Sequence, residues 1–189
     1  MELKNEVAER KKEIICKCLA VFTEKGLVNT TSRDLSAAVN LQHAGIYYYF
    51  KSKDDLVVAC AEEAAFQLET TLIVPLKFEL SNPNKMMVDL QKKCDHMAPT
   101  MKFLAQVFTV EKYHEKLLPF LTAMADRYKT YAQVFADILG RSVEEVEPYV
   151  YMGITAATNY MIFGENSYIK PQFDFLKKQL NFDSGGNKQ

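Results

Sequence analysis

The sequence predicts an all-α chain of about nine helices, three at the N-terminus followed by a helical body of longer elements. Three observations predict it. Apolar residues recur at three- and four-residue spacing along most of the chain. Ser or Thr followed three residues later by an acid stands ahead of apolar runs, as helix starts require. No stretch alternates at period two for long enough to demand a strand.

Each element follows from its residues. Ile14, Ile15, Cys18, Leu19 and Phe22 keep helical spacing with Lys and Glu between them, and Gly26 supplies a stop. A second helix starts at Thr31, because Thr31-Ser32-Arg33-Asp34 has the spacing of a capping box. Val39-Asn40-Leu41 ends it early, since Asn tolerates the left-handed backbone of a tight turn. The third helix runs over about 42–50. The fourth starts at Ser52, with Asp55 three places on, and passes Leu68. Beyond Pro75 the spacing predicts helices over about 83–97, 99–108, 110–139 with a kink or break at Pro119, 143–163 and 171–181. Residues 184–189 read as a frayed tail.

Composition narrows the classes. Of 189 residues, 48% are hydrophobic and 25% charged, and Gly and Pro number only 7 and 6, so a folded globular chain is expected. The uncharged run Pro148–Gly164 is too short for the ~20 residues of a membrane span. Residues 1–12 are highly charged and lack the apolar core of a signal peptide. A cytoplasmic protein is expected, with no membrane partner. Cys16, Cys18, Cys60 and Cys94 suit reduced thiols, because Cys16 and Cys18 point to different sides of one helix. Only Cys94 and His96 set two metal-ligand types close together, and that spacing is unspecific; no metal and no cofactor are expected. The sequence has no phosphate loop, Gly-x-Ser-x-Gly elbow or His-Glu-x-x-His motif, so no enzyme is expected and no catalytic residue is assigned. Residues 1–53 hold nine Lys/Arg against six Asp/Glu, while the remainder holds 14 against 18. A basic end on an acidic body points to a polyanion partner for the first segment.

Two short helices joined by a tight turn, with a further helix following, outline a helix-turn-helix. The third helix sharpens that outline. At ~100° per residue Ile46 and Phe50 share the face that buries. Ala44, Gly45 and Tyr48 point away from it, His43 and Tyr47 line one flank, and Gln42 and Tyr49 line the other. Three consecutive tyrosines cannot all be interior, and small residues let the backbone approach another surface. This suits insertion beside phosphates. Lys53 stands in the first turn of the fourth helix, where the macrodipole disfavours a cation by roughly 0.5 kcal/mol; a phosphate in front of that end accounts for it.

The stretch from Thr30 to Leu56 resembles the TetR family of bacterial repressors. Its carrier is Ala44-Gly45-Ile46-Tyr47-Tyr48-Tyr49-Phe50-Lys51-Ser52-Lys53-Asp54-Asp55-Leu56, together with the Thr-capped helix before it. Two positions depart from the family: Asn40 stands where Gly is usual, and Gln42 where Ser often caps the third helix. The resemblance implies a DNA-binding domain over 1–52, an effector-binding and dimerisation domain over 53–183, and the tail 184–189. It implies that Thr31, Ser32, Tyr47, Tyr49 and Lys53 hold phosphates. Arg33, Gln42, His43, Ala44, Gly45 and Tyr48 complete the DNA-facing set, with Arg33 suited to a bidentate guanine contact.

The body is read partly from its own residues. Residues 148–163 form a helix apolar on most sides, where Gly153, Ala156 and Ala157 permit close packing beside Tyr160. Phe173, Leu176 and Leu180 make a stripe on the last helix. The resemblance implies that these two helices pair with their copies in a homodimer, whose two reading helices take the half-sites of a palindromic operator. Met97, Met101, Phe103, Phe108, Tyr113, Phe120, Met124 and Tyr128 serve either as core or as the lining of an apolar cavity. The resemblance implies a pocket there for an unidentified small apolar or aromatic effector. The function it implies is ligand-responsive repression, with the fourth helix as the covalent link between reader and sensor. The competing reading is a helical protein-interaction adaptor without DNA binding, which leaves the Tyr47–Tyr49 surface and Lys53 unexplained.

Overall fold

The computed structural model describes residues 2–74 and 83–179, and every regular element among them is helical. Eight α-helices follow one another: α1 (Glu2–Lys25), α2 (Ser32–Val39), α3 (His43–Tyr49), α4 (Lys53–Leu68), α5 (Pro83–Phe108), α6 (Glu111–Leu139), α7 (Val143–Phe163) and α8 (Lys170–Gln179). A π-helical turn, Glu69–Ile73, continues α4, and a 3-10 turn, Asn166–Tyr168, lies between α7 and α8. Leu180 and the tail 184–189 lie outside the described residues.

The N-terminal elements begin and end where their caps dictate. Thr31 Oγ1 accepts from the Asp34 amide, and the Asp34 carboxylate accepts from the Thr31 amide at 2.8 Å, closing the expected capping box. Asn40 adopts φ 52°, ψ 45°, and the amides of Asn40 and Leu41 reach back to the carbonyls of Ala37 and Ser36. Ser52 Oγ accepts from the Asp55 amide at 3.1 Å ahead of α4.

Proline interrupts less than expected. The helices anticipated over 83–97 and 99–108 are one helix, α5, with Pro99 inside it, and α6 runs through Pro119. A helical proline costs about 3 kcal/mol through its missing N–H and its clash with the preceding turn. Burial on both sides outweighs that. Leu90, Cys94 and Met97 are buried before Pro99, and Phe103, Leu104 and Val107 after it, the five larger apolar side chains contributing roughly 1.5–3 kcal/mol each.

The described residues form two compact units, one of 2–67 with 99–118, the other of 68–74 and 83–98 with 119–179. The chain passes from one to the other three times, at 67/68, 98/99 and 118/119. In the first unit, Ile14, Cys18 and Phe22 of α1 are buried with Leu35, Val39, Ile46, Phe50 and Leu56. Phe103 stacks on Phe22 with ring centroids 5.1 Å apart, and Gln106 Oε1 accepts from the Leu27 amide at 2.7 Å. In the second unit, Phe135, Ala136 and Val146 pack with Tyr131, Leu139, Val143 and Val150.

All four cysteines are free thiols, and Cys18, Cys60 and Cys94 are buried. Burial pushes Cys18 up to about 11 and Cys94 up to about 12. Among the described residues, no helix is long and apolar enough to cross a membrane, and no cluster of three or more His, Cys, Asp or Glu is placed to hold a metal ion.

Candidate nucleic-acid interface

The orientation of α3 follows from its four-residue spacing. Ile46 and Phe50 are buried, while Ala44 and Tyr47 are exposed and Tyr48 is 75% exposed. Tyr49 is half-buried, its ring edge-on to that of Tyr48 at 5.0 Å. Gly45 is half-buried; a Cβ there would meet Leu41 Cβ at 3.4 Å, so the missing side chain also serves the turn into α3. Gln42 is exposed at the N-cap of α3 and makes no side-chain capping bond, as its residue type predicts. The side chain of His43 lies outside the described set.

Ser32, Tyr47 and Lys53 line one small cleft together with Leu35, Ile46 and Leu56. Lys53 Nζ donates to the Thr30 carbonyl at 2.8 Å, and the buried Thr30 donates its hydroxyl to the Gly26 carbonyl at 2.7 Å. A cation in the first turn of α4 is thereby tied to the α1–α2 connection. That bond uses one of the three ammonium donors. Thr31 is exposed, and its hydroxyl donates to Asp34 at 2.6 Å, so in this state it fixes the end of α2. Lys25 Nζ lies 2.5 Å from the same carboxylate, and Lys25 and Thr31 hold the Asp34 carboxyl well below the usual range. Arg33 is exposed beside them.

Sequence reasoning missed the groups that brace the start of α4. Lys112 Nζ and the Tyr113 hydroxyl donate to Asp54 at 2.7 and 3.0 Å, and Lys116 Nζ donates to Asp55 at 2.7 Å. The partners are 58 to 61 residues apart, beyond any local pattern.

The residues expected at the effector pocket are divided between the units. Met101, Phe103, Phe108 and Tyr113 belong to the first, and Met97, Phe120, Met124 and Tyr128 to the second. Phe103 and Tyr113 are buried in the contacts just described. The second unit holds a polar cluster that the sequence reading passed over. Glu69, in the π-helical turn, keeps only 6% of its side chain exposed. Its carboxylate accepts from Arg127 Nε at 3.0 and 3.1 Å and from the Tyr131 hydroxyl at 2.6 Å. Arg127 lies 5.8 Å from the Phe120 ring centroid, and Tyr128 meets Tyr151 edge to face at 6.5 Å. Burial first, then the bond to Glu69, pushes Tyr131 up to about 12.

Of the residues expected at a dimer interface, Ala156, Ala157, Tyr160, Phe173 and Leu176 are buried within the single chain. A Cβ at Gly153 would meet Leu176 Cδ1 at 3.6 Å, so the small residues of α7 admit α8 of the same chain. The Tyr160 hydroxyl donates to Asp95 at 2.6 Å. Phe163 and Phe175 are the large apolar residues these helices leave exposed, at 60% and 46%.

The fold and the α2–α3 geometry define a chain with a helix-turn-helix in its first compact unit. The sequence profile of the bacterial regulatory proteins of the tetR family matches residues 14–60. The HTH-type transcriptional dual regulator CecR of Shigella flexneri is 45% identical over 62 residues, covering 33% of this chain and 26% of that protein. The match thus spans about a quarter of the curated relative's length. The crystal structure of the multidrug binding protein EbrR complexed with imidazole shares the fold, with a TM-score of 0.60 at 16% identity over 90% of this chain and 94% of that one. Residues 14–60 thus resemble the DNA-binding segment of tetR-family regulators, and the chain as a whole matches that crystal structure in fold.

Proposed function

We propose that this chain is a ligand-responsive transcriptional regulator acting in the bacterial cytoplasm, a repressor that binds a palindromic operator as a homodimer and is released by a small apolar or aromatic effector. The observation that carries the reading is the convergence of Ser32, Tyr47 and Lys53 on one cleft beside the exposed Tyr48 ridge of α3. Hydroxyls and an ammonium are donors for phosphate oxygens, and they position the duplex. Arg33, Gln42, His43, Ala44, Gly45 and Tyr48 then face the groove, Thr31 orders the end of α2, and Tyr49 supports the phosphate side. The name of CecR, a transcriptional regulator, supports DNA as the partner; that of EbrR, a multidrug binding protein, supports a small-molecule site in the body. Met97, Phe120, Met124 and Tyr128 are the expected pocket residues that the second unit retains. The dimer forms through α7 and α8, with Phe163 and Phe175 as its exposed apolar contacts.

The test is a fluorescence-anisotropy titration of duplex DNA at several salt concentrations, with footprinting of the DNA flanking the gene. Log affinity should fall steeply and linearly with log salt, and an inverted repeat should be protected. A flat salt response with no protected repeat favours the adaptor. Sedimentation of Phe175→Asp, a surface change, should show monomers where the parent is a dimer.

A further inference from the structure

We infer that the ligand site of the body is centred on Glu69 and selects aromatic organic cations, an amidinium or protonated amine taking the place of the Arg127 guanidinium. The inference rests on the reading of the body as a small-molecule sensor and names the chemistry it selects.

The argument starts from an asymmetry. The Glu69 side chain is 6% exposed and that of Arg127 is 40% exposed. A carboxylate taken out of water must keep a counter-charge, because breaking such a pair leaves an uncompensated buried ion. The guanidinium is under no such constraint, since it already borders solvent and regains hydration on swinging out. Glu69 is therefore the fixed member of the pair and Arg127 the exchangeable one.

The surroundings say what can exchange. Phe120 already offers its face to the Arg127 cation, and Tyr128, Tyr131 and Tyr151 bring three more rings to the same region. Ring faces attract cations, most strongly away from water. Burial raises Tyr128 and Tyr131, so both phenols stay neutral and Tyr131 remains a donor to the carboxylate. Arg127 binds Glu69 through Nε alone, with both carboxylate oxygens within 3.1 Å. A planar amidinium can meet the same two oxygens with two parallel N–H bonds, which is the stronger arrangement. The π-helical turn, in which the Val74 amide reaches the Glu69 carbonyl, carries the carboxylate; such turns recur at functional sites.

Three probes of one shape test the site by NMR titration of the full chain: benzamidine, neutral benzamide and anionic benzoate. Benzamidine should bind at millimolar concentration and shift resonances of Tyr128 and Tyr131, with benzamide and benzoate far weaker. Glu69→Gln should weaken benzamidine by about tenfold or more, the worth of a lost charge-assisted bond. Arg127→Ala should tighten it by roughly two- to fivefold, since an internal competitor of half-exposed ion-pair strength is gone. A structural ion pair predicts the opposite for Arg127→Ala. If either variant does not fold, the order of the three probes on the parent chain decides. Equal binding of benzamidine and benzamide, stronger binding of benzoate, or weaker benzamidine binding in Arg127→Ala would overturn the inference. DNA affinity without probe is measured in parallel. Failure to bind DNA overturns the regulator reading, while the cation site stands or falls on its own titrations.

Discussion

The two compact units place their charge in different ways. In the first, Lys25–Asp34, Lys112–Asp54 and Lys116–Asp55 sit at helix starts, each member partly open to solvent. In the second, Arg127 reaches a carboxylate that is almost wholly buried. Exposed pairs at helix N-termini reinforce a backbone that capping has already fixed, and each contributes little on its own. A buried pair is costly to form and costlier to break. The first unit ties the starts of α2 and α4 with several weak, partly exposed pairs, while the second also buries one carboxylate, Glu69.

The contrast breaks most visibly at Phe103. The sequence leaves it as core or as pocket lining, and the structure stacks it on Phe22 with both rings fully buried. Phe103→Ala should cost about 3–5 kcal/mol in urea-monitored unfolding. Benzamidine binding by the fraction that stays folded should be unchanged. Little loss of stability with a large loss of probe affinity would return Phe103 to the pocket.

Contacts with DNA come next in size. Arg33→Ala should lose about 1–3 kcal/mol on the preferred sequence and relax base preference, if its guanidinium reads a guanine. Lys53→Ala should weaken all sequences alike and lower the salt slope by about 1 per occupied site. It also removes the bond to Thr30, so circular dichroism must show the fold intact before the slope is interpreted. If Arg33→Ala lowers specific and non-specific binding equally, it is a phosphate contact.

Legibility in the sequence tracks the range of the interaction. The capping box at Thr31, the left-handed Asn40 and the buried Ile46–Phe50 face were all readable, because each is decided within four residues. The continuity of α5 through Pro99 was not, because the deciding term is burial on both flanks. Of the expected cleft, Ser32, Tyr47 and Lys53 do converge, yet the bond from Lys53 to Thr30 spans 23 residues and left no local trace. Glu69 was invisible for the same reason. Its partners lie 58 and 62 residues away, and an isolated Glu on an apolar helix reads as a solvated position.

The capping box offers a smaller effect. Thr31→Ala removes the acceptor for the Asp34 amide and the donor to its carboxylate. Stability should fall by about 1 kcal/mol, and Thr31→Ser should restore most of it. A loss in both variants alike would move the cause from the hydroxyl to the threonine methyl.

The smallest expected effect is the response to acid, and it separates the units by how many depressed carboxyls each holds. Hydrogen bonds from Lys25 and Thr31 depress Asp34, those from Lys112 and Tyr113 depress Asp54, those from Lys116 and Ser52 depress Asp55, and those from Lys17 and Arg10 depress Glu13. A carboxyl whose folded pKa lies below its unfolded value of about 4 contributes stability that is complete above that value. The contribution is lost as pH falls through the folded pKa. In the second unit the described carboxyl depressed in this way is Glu144, through its own amide and Ser142. Alkali does not discriminate. The raised Lys25, Lys112 and Lys116 of the first unit and the raised Tyr128, Tyr131 and Tyr160 of the second all give up stability as pH rises past about 10. Pulse-labelled hydrogen exchange between neutral pH and pH 3 should therefore show α1–α4 amides losing protection before those of α7 and α8. High salt applied at neutral pH should reproduce part of the loss, because these pairs are exposed enough to be screened. Simultaneous loss in both units, or a salt-insensitive first unit, would show that capping and core packing hold α1–α4 without the lysines.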